Sequence, residues 1–126
     1  IEEASRGMDL IIEAVPEKIE LKISVFRELE GLAPKEAVLA TNTSGLSISE
    51  IAAEIENSGR VVGLHFFNPV PLMPLLEIVR HGGTSDKTVM ISKKVGESLG
   101  KTTILVNDVP GFATSRLGVV LGNEAI

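Results

Sequence analysis

The sequence of 126 residues contains no cysteine, no tryptophan and no tyrosine. Without cysteine it can form neither a disulfide framework nor a thiolate metal site. Basic residues are outnumbered, with 12 Lys and Arg against 17 Asp and Glu, which argues against nucleic acid or an anionic membrane surface as partner. Apolar runs long enough to span a bilayer and the features of a signal peptide are both lacking. We therefore expect a cytoplasmic protein with no nucleic-acid or membrane partner.

The hydrophobic content is sufficient for a folded domain. Hydrophobic residues make up 44% of the chain, and its length suits one domain with a core. The chain begins at Ile1 rather than Met, and it ends at Ile126 within a helical pattern. Both ends lead us to expect a fragment of a longer protein.

Strand and helix patterns alternate in the first half of the chain. The apolar run 9–15 predicts a parallel strand buried on both faces, Pro16 opens a helix that Pro34 closes, and 37–41 predicts a second strand. The predicted helix carries one apolar stripe, formed by Ile19, Ile23, Phe26, Leu29 and Ala33. Several charged residues lie largely off that stripe, namely Glu17, Lys18, Glu20, Lys22 and Arg27. The order of strand, helix and strand is typical of a crossover unit.

The second half continues this alternation. Ser47 and Glu50 form a capping-box pattern for a helix through about Glu56. The segment Gly82-Gly83-Thr84-Ser85 marks a loop with an N-cap for another helix, which Gly100 ends. The apolar stripe of that second helix comprises Ile91, Val95 and Leu99. Further strands are predicted at residues 61–64, 75–79 and 102–106, and a last helix from residue 112.

One of the two histidines, His65, stands where the third predicted strand ends. Three prolines between residues 69 and 74 then exclude a helix and predict a stiff, extended connection that leads to Glu77. Imidazole titrates near neutral pH, and a carboxylate partner fixes its tautomer, so the two residues are candidates for proton transfer. Residue types alone favour a core histidine over a catalytic one. His81 belongs to a Gly-rich loop, and we expect it to be solvated.

A second candidate lies in the segment Asn42-Thr43-Ser44-Gly45. It follows directly on a predicted strand end, where open α/β sheets place their ligand contacts. Asn, Thr, Ser and Gly all favour turns, so a plain turn is the preferred interpretation from composition alone.

Four motifs in order resemble the 3-hydroxyacyl-CoA dehydrogenase family, which includes 3-hydroxybutyryl-CoA dehydrogenases. The segment His65-Phe66-Phe67-Asn68-Pro69-Val70-Pro71, with Glu77 following, is similar to the catalytic signature of that family. The other three matches are Glu13-Ala14-Val15-Pro16-Glu17, Ala40-Thr41-Asn42-Thr43-Ser44 and Asp108-Val109-Pro110-Gly111-Phe112. The resemblance covers essentially the whole chain.

The resemblance implies an α/β fold, namely the C-terminal half of a Rossmann-type NAD-binding domain that ends in the first helix of an all-α C-terminal domain. Residues 1–107 would form the partial NAD-binding domain, and 108–126 would begin the helical domain. The Gly-rich loop that binds the pyrophosphate has no counterpart here, so that part of the cofactor site would lie upstream of Ile1. Loss of the first strands of a parallel sheet would expose an edge and an apolar face, so we expect association.

The family resemblance also implies a reaction, the oxidation of a 3-hydroxyacyl-CoA to a 3-ketoacyl-CoA with NAD, in fatty-acid β-oxidation or butanoate metabolism. His65 would be the general base, Glu77 would orient its ring, Ser44 would hydrogen-bond the substrate 3-oxygen, and Asn68 would lie in the same site. The cofactor-binding residues would be Ala14, Glu17, Lys22, Asn42 and Asn68, with no metal. Ser115 stands where many members carry Asn, so substrate contact there would have a shorter reach. We expect a homo-oligomer, since family members form dimers.

Three alternatives stay open at this point. The chain could be a non-catalytic relative, as lens crystallins resembling this family are, although retention of His65 and Glu77 argues against it. It could be a truncated, inactive module that binds or assembles with another chain. It could also be a Rossmann dehydrogenase acting on a free hydroxy acid, which would be expected to use a lysine rather than a His/Glu pair.

Overall fold

A computed structural model describes residues 7–108 of the chain. Within this range five strands form one sheet, whose spatial order β1-β2-β3-β4-β5 is also the order along the chain. The strands are β1 (Leu10–Glu13), β2 (Val38–Thr41), β3 (Val61–Phe66), β4 (Leu75–Arg80) and β5 (Thr102–Asn107). The helices are α1 (Ile19–Leu32), α2 (Ile48–Ala52) and α3 (Asp86–Ser98), with a 3-10 turn at Ser58–Arg60. The helix predicted from residue 112, and Ser115 within it, lie outside the described residues.

The sheet is mixed rather than wholly parallel. Strands β1, β2 and β3 run parallel to one another and are joined through α1 and α2. Strand β4 is antiparallel to β3, and β5 is parallel to β4 across α3. A parallel partner needs a crossover of a dozen or more residues, whereas residues 67–74 alone join β3 to β4, so the chain turns back on itself. We had expected a parallel sheet, and this short connection explains the difference.

Helices cover both faces of the sheet. On one face, Phe26 of α1 and Ile48 of α2 are fully buried against residues of β2 and β3 such as Leu39. On the other face, Leu64 and Ile78 are fully buried, and α3 packs against this cluster. Successive residues of each central strand alternate between the two clusters, as the period of two along a strand requires. The sheet core therefore holds the carboxyl ends of β1 to β3 in fixed relative positions.

Two helix boundaries differ from those predicted. Helix α1 begins at Ile19 rather than at the proline before it, and α2 ends at Ala52 rather than near Glu56. The bond from the Glu54 amide to the Ile51 carbonyl spans only three residues, which tightens the chain and ends the α-helical pattern. None of the helices in residues 7–108 has the length and apolar content needed to cross a membrane.

Helix α3 presents mostly small side chains to the sheet, although Ile91 of the predicted apolar stripe also packs against the core. Its buried residues are Thr88, Val89, Ser92 and Gly96. Leu99, predicted on the stripe, is 55% exposed. A Cβ at Gly96 would lie only 2.5 Å from Cγ2 of Thr103, so glycine is what lets the helix approach β5. The predicted ends are confirmed, since Ser85 caps the N-terminus and Gly100 follows the C-terminus with φ of +74°.

Candidate active site

His65 and Glu77 face each other as direct partners in the antiparallel ladder of β3 and β4. Nδ1 of His65 lies 2.9 Å from Oε1 of Glu77, and only 9% and 0% of the two side chains are exposed. An ionised carboxylate can only accept hydrogen bonds, so Nδ1 is the donor, and the proton acceptor of the neutral ring is Nε2. The two residues predicted as a pair are therefore in contact. Their catalytic roles stay a prediction.

His65 opens onto a cleft of about 360 Å³ at the carboxyl ends of the first three strands. The cleft is lined by Ala14, Val15, Pro16, Glu17, Asn42, Thr43, Ser44, His65, Phe66, Phe67 and Asn68. The ring of Phe67 packs against that of His65, with centroids 4.3 Å apart. Open α/β sheets bind their ligands at this edge, because the loops after neighbouring parallel strands converge there. The cleft is the candidate active site.

Thr43 fixes the turn that carries Ser44. Its buried hydroxyl donates to Oε2 of Glu17 at 2.8 Å and accepts hydrogen bonds from the amides of Gly45 and Leu46 at 3.3 and 3.0 Å. The loops after β1 and β2 are thereby tied together. The side chain of Glu17 is still 45% exposed, so its carboxylate is accessible from the cleft.

A buried ion pair lies beside the same two loops. Nζ of Lys22 lies 2.6 and 2.9 Å from the two carboxylate oxygens of Glu13, and the hydroxyl of Thr41 donates to Oε2 of Glu13 at 2.8 Å. The ammonium also contacts the carbonyls of Val15 at 3.2 Å and Asn42 at 3.3 Å. Both of these carbonyls belong to residues that line the cleft. Lys22 therefore holds the two loops at a set separation.

The burial of Lys22 corrects one expectation from the sequence. We placed this residue off the buried stripe of α1, whereas it has no exposed surface. The three hydrogens of an ammonium are matched here by acceptors of the protein itself. Lys22 is not among the residues that line the cleft. The contact with the cofactor that the family resemblance implies for Lys22 stays a prediction.

The structure brings most of the predicted site residues together. The cleft is lined by His65, Ser44, Asn68, Ala14, Glu17 and Asn42. Glu77 contributes through His65, whereas Lys22 contributes through Glu13 and the loop carbonyls. Ser115 lies outside the described residues. Within residues 7–108 no group of three or more His, Cys, Asp or Glu side chains is placed to hold a metal ion.

Two contributors to the site were not singled out from the sequence, namely Glu13 and Thr43. Glu13 carried a usable signal, because a carboxylate inside the apolar run Leu10–Val15 must find a cation or a donor if the strand is buried. For Thr43 the only signal in the sequence was its position next to Ser44.

His81 is a buried loop residue, contrary to the expectation that it would be solvated. Only 7% of it is exposed. Its Nε2 lies 2.8 Å from the carbonyl of Ser58, and its Nδ1 accepts a hydrogen bond from the amide of Gly83 at 3.0 Å. These two contacts select the neutral tautomer with the proton on Nε2. His81 therefore ties the loop before α3 to the 3-10 turn before β3.

Known proteins match this chain in sequence and in fold. Residues 1–109 match the family model described as the NAD-binding domain of 3-hydroxyacyl-CoA dehydrogenase. The chain is 43% identical, over all 126 residues, to a probable 3-hydroxybutyryl-CoA dehydrogenase of Bacillus subtilis, of which it covers 44%. It superposes with a TM-score of 0.94 on the crystal structure of (S)-3-hydroxybutyryl-CoA dehydrogenase from Ralstonia eutropha, at 36% identity, with 99% of this chain and 44% of that one covered.

A third relative acts on a different kind of substrate. The crystal structure of 5-formyl-3-hydroxy-2-methylpyridine 4-carboxylic acid 5-dehydrogenase, described as an NAD-dependent dismutase, superposes with a TM-score of 0.93 at 36% identity. The alignment covers 98% of this chain and 40% of that one. The chain thus spans less than half the length of the relatives it matches. The Rossmann-type fold predicted from the sequence is confirmed for the described residues.

Proposed function

Because the chain belongs to the 3-hydroxyacyl-CoA dehydrogenase family, through its NAD-binding domain, we propose that the protein carrying it oxidises a 3-hydroxyacyl-CoA reversibly to a 3-ketoacyl-CoA. The proposal depends on one observation above all. A buried contact of 2.9 Å joins His65 Nδ1 to Glu77 Oε1 beside a cleft at the carboxyl ends of parallel strands. A histidine held in this way is suited to move a proton to and from a substrate hydroxyl.

The proposed chemistry divides between the histidine and the carboxylate. Nε2 of His65 takes the proton of the substrate 3-hydroxyl, and Glu77 keeps the ring in the Nδ1–H tautomer and stabilises the cation that forms. In the reverse direction His65 returns the proton to the 3-oxygen. Burial of Glu77 strengthens its interaction with the ring, since little water competes for the carboxylate.

Ser44 and Asn68 are proposed to bind the substrate oxygen and the groups around it. Ser44 is exposed and lines the cleft, and its hydroxyl can donate to the 3-oxygen of the substrate. Asn68 lines the cleft from the segment after β3 and offers both a donor and an acceptor. A third substrate contact is proposed for Ser115, outside the described residues.

The cleft suits the nicotinamide and ribose half of NAD. Glu17 offers a half-exposed carboxylate that can accept hydrogen bonds from ribose hydroxyls, and Ala14 and Asn42 line the same wall. When bound, NAD accepts the hydride that leaves C3 of the substrate. We propose that Thr43 keeps Glu17 in position and that Lys22 supports cofactor binding by holding the two loops at a set separation.

We propose fatty-acid β-oxidation or butanoate metabolism as the pathway, and the cytoplasm as the location. The butyryl chain in the names of two relatives supports a short acyl group. We also propose a homo-oligomer. Within residues 7–108, β1 is an outer strand, and Met8 just before it and Ile12 within it are 46% and 38% exposed, as a surface that a further strand or subunit covers would be. A clean monomer by light scattering contradicts the last proposal.

The test of activity uses the protein at its natural length, with acetoacetyl-CoA and NADH. We expect NADH oxidation that falls about 10²- to 10⁴-fold in His65→Gln, because general acid–base catalysis is lost. His81→Gln is the matched control, since it changes a histidine that lies in a loop away from the residues of the cleft. NADH binding, followed by fluorescence, should be retained in both variants.

Other outcomes discriminate among the alternatives. NADH binding without turnover of any substrate indicates a non-catalytic relative. Turnover of free acetoacetate in preference to acetoacetyl-CoA indicates a dehydrogenase of free acids. Full activity of His65→Gln contradicts the proposed mechanism even if the wild-type protein reduces acetoacetyl-CoA.

A further inference from the structure

The segment of residues 68–74, here called the proline loop, carries Asn68 into the cleft. Prolines at 69, 71 and 74 have no amide hydrogen, so the loop has few backbone donors of its own. Its internal bonds run from the amides of Leu72 and Met73 to the carbonyl of Pro69, at 3.0 and 3.1 Å. These bonds shape a turn, but they do not attach that turn to the rest of the domain.

Burial does not hold the proline loop either. Leu72 is 78% exposed and Val70 is 38% exposed. Apolar side chains this open contribute little of the stabilisation that full burial of a Leu or Val would bring. The loop therefore depends on polar contacts made with the rest of the described domain.

Those contacts come from Lys101, just before β5, and from Thr102, its first residue. Nζ of Lys101, a partly buried residue, donates to the carbonyl of Met73 at 2.6 Å and also to the carbonyl of Val70. The next amide, that of Thr102, donates to the carbonyl of Pro74 at 2.7 Å. A charged donor forms stronger hydrogen bonds than a neutral one, so the ammonium is the principal attachment of the loop tip.

We propose that Lys101 is a positioning residue of the active site: by holding the proline loop, it sets the position of Asn68 at the cleft and so determines the affinity for the acyl-CoA substrate. This inference rests on the function proposed above. Lys101 is not among the residues that line the cleft, so it acts through the loop and not by touching substrate.

The same geometry separates this role from proton transfer. His65 and Glu77 are held by the ladder between β3 and β4, which does not involve Lys101. Loss of the ammonium should therefore loosen Asn68 while the His65–Glu77 contact stays in place. Substrate binding should weaken, and the pH dependence of turnover should not move.

The test compares Lys101→Met, Lys101→Arg and Lys87→Met in the protein at its natural length. Methionine keeps most of the length of the side chain without donors, whereas arginine keeps the charge and can reach two carbonyls. Lys87 is the control because it pairs on the surface with Glu36 at 2.8 Å, a hydrogen bond that lowers the pKa of Glu36. Measurements are KM for acetoacetyl-CoA, kcat and its pH profile, and hydrogen exchange of the peptide that covers the proline loop.

We expect Lys101→Met to raise KM about tenfold, since a misplacement of 1 Å in a site can cost up to about 100-fold. The value of kcat and the pH profile should change little, and the amides of Leu72 and Met73 should exchange faster. Lys101→Arg should restore both KM and amide protection in large part. Lys87→Met should match the wild-type protein throughout.

Two results overturn the proposal. One is a KM in Lys101→Met equal to that of Lys87→Met. The other is a Lys101→Met variant in which kcat falls, KM rises and the melting temperature falls together, with no rescue in Lys101→Arg. That result would indicate a purely structural lysine. If the wild-type protein turns over no acyl-CoA, the proposed function fails by itself. Hydrogen exchange then still decides separately whether Lys101 holds the loop.

Discussion

The ammonium of Lys22 lies 2.6 Å from the carboxylate of Glu13, and almost nothing of either side chain is exposed. The ion pair joins α1 to the end of β1, and the same ammonium reaches the carbonyls of Val15 and Asn42 at the cleft. A buried charge pair costs desolvation, and it is tolerated here because nearly every lone pair and hydrogen is matched. The pair thus links the stability of the domain to the width of its candidate active site.

The first prediction concerns the loss of one partner of this pair. Lys22→Met should lower the free energy of unfolding by about 3–5 kcal/mol, because the Glu13 carboxylate is left buried without a cation. Urea unfolding followed by circular dichroism measures this change. Lys18→Met, an exposed lysine at the start of the same helix, is the control and should stay close to the wild-type value. The double variant Glu13→Leu/Lys22→Met should recover much of the loss, and a double variant as unstable as Lys22→Met contradicts the argument.

The sequence predicted the positions of helices and strands better than it predicted the direction of strands and the contacts between distant residues. Each described strand was located by its apolar run and the turn residues around it. The caps at Ser47 and Gly100 are those predicted, and Ser85 lies in the loop that was predicted to supply an N-cap. Local patterns identify elements because propensity and periodicity are properties of neighbouring residues. The direction of β4 was missed, although the short connection at residues 67–74 contained the information.

Partnerships across the chain could not be predicted in the same way. Lys22 was placed off the buried stripe of α1, and His81 was expected to be solvated, because charged and loop residues are usually exposed. Lys22 contacts Glu13, which is 9 residues away, and His81 contacts Ser58, which is 23 residues away. Only the packed structure brings these residues together. The pairing of His65 with Glu77 was inferred from their places on neighbouring predicted strands and from a family resemblance, and the structure adds the register that sets their contact.

The second prediction uses two glycines with opposite environments. Gly96→Ala should destabilise the domain by about 1–3 kcal/mol, since its Cβ would lie 2.5 Å from Thr103 and 3.0 Å from Leu76. Gly31→Ala, within α1 and with nothing within 4 Å of the added Cβ, should stabilise it by about 0.5–1 kcal/mol. Thermal unfolding of the two variants beside the wild-type protein shows whether each substitution lowers or raises the stability. Equal effects at the two positions would contradict the close approach of α3 to β5.

The third prediction separates two neighbouring hydroxyls. Ser44→Ala should lower kcat/KM for acetoacetyl-CoA about 10- to 100-fold with no loss of stability, because Ser44 is exposed and proposed to bind only the substrate. Thr43→Val should instead destabilise the turn by about 1–3 kcal/mol, since the amides of Gly45 and Leu46 lose their acceptor. It should also weaken NADH binding, because Glu17 loses its hydrogen bond from Thr43 and keeps only the contact of 3.5 Å with Nζ of Lys22. Steady-state kinetics, NADH fluorescence titration and melting temperature together distinguish the two patterns.

The last prediction concerns Glu77. Glu77→Gln keeps the shape of the side chain but allows the amide to donate towards Nδ1 of His65, so the ring can adopt the tautomer with its proton on Nε2. That nitrogen could then no longer accept the substrate proton, and the imidazolium would lose its counter-charge. We expect kcat to fall about 10²- to 10⁴-fold while NADH still binds, as loss of general base catalysis would predict. Glu97→Gln, exposed on α3, is the matched control and should leave kcat unchanged. A Glu77→Gln variant with wild-type kcat would mean that the contact of 2.9 Å serves the fold and not the proton transfer.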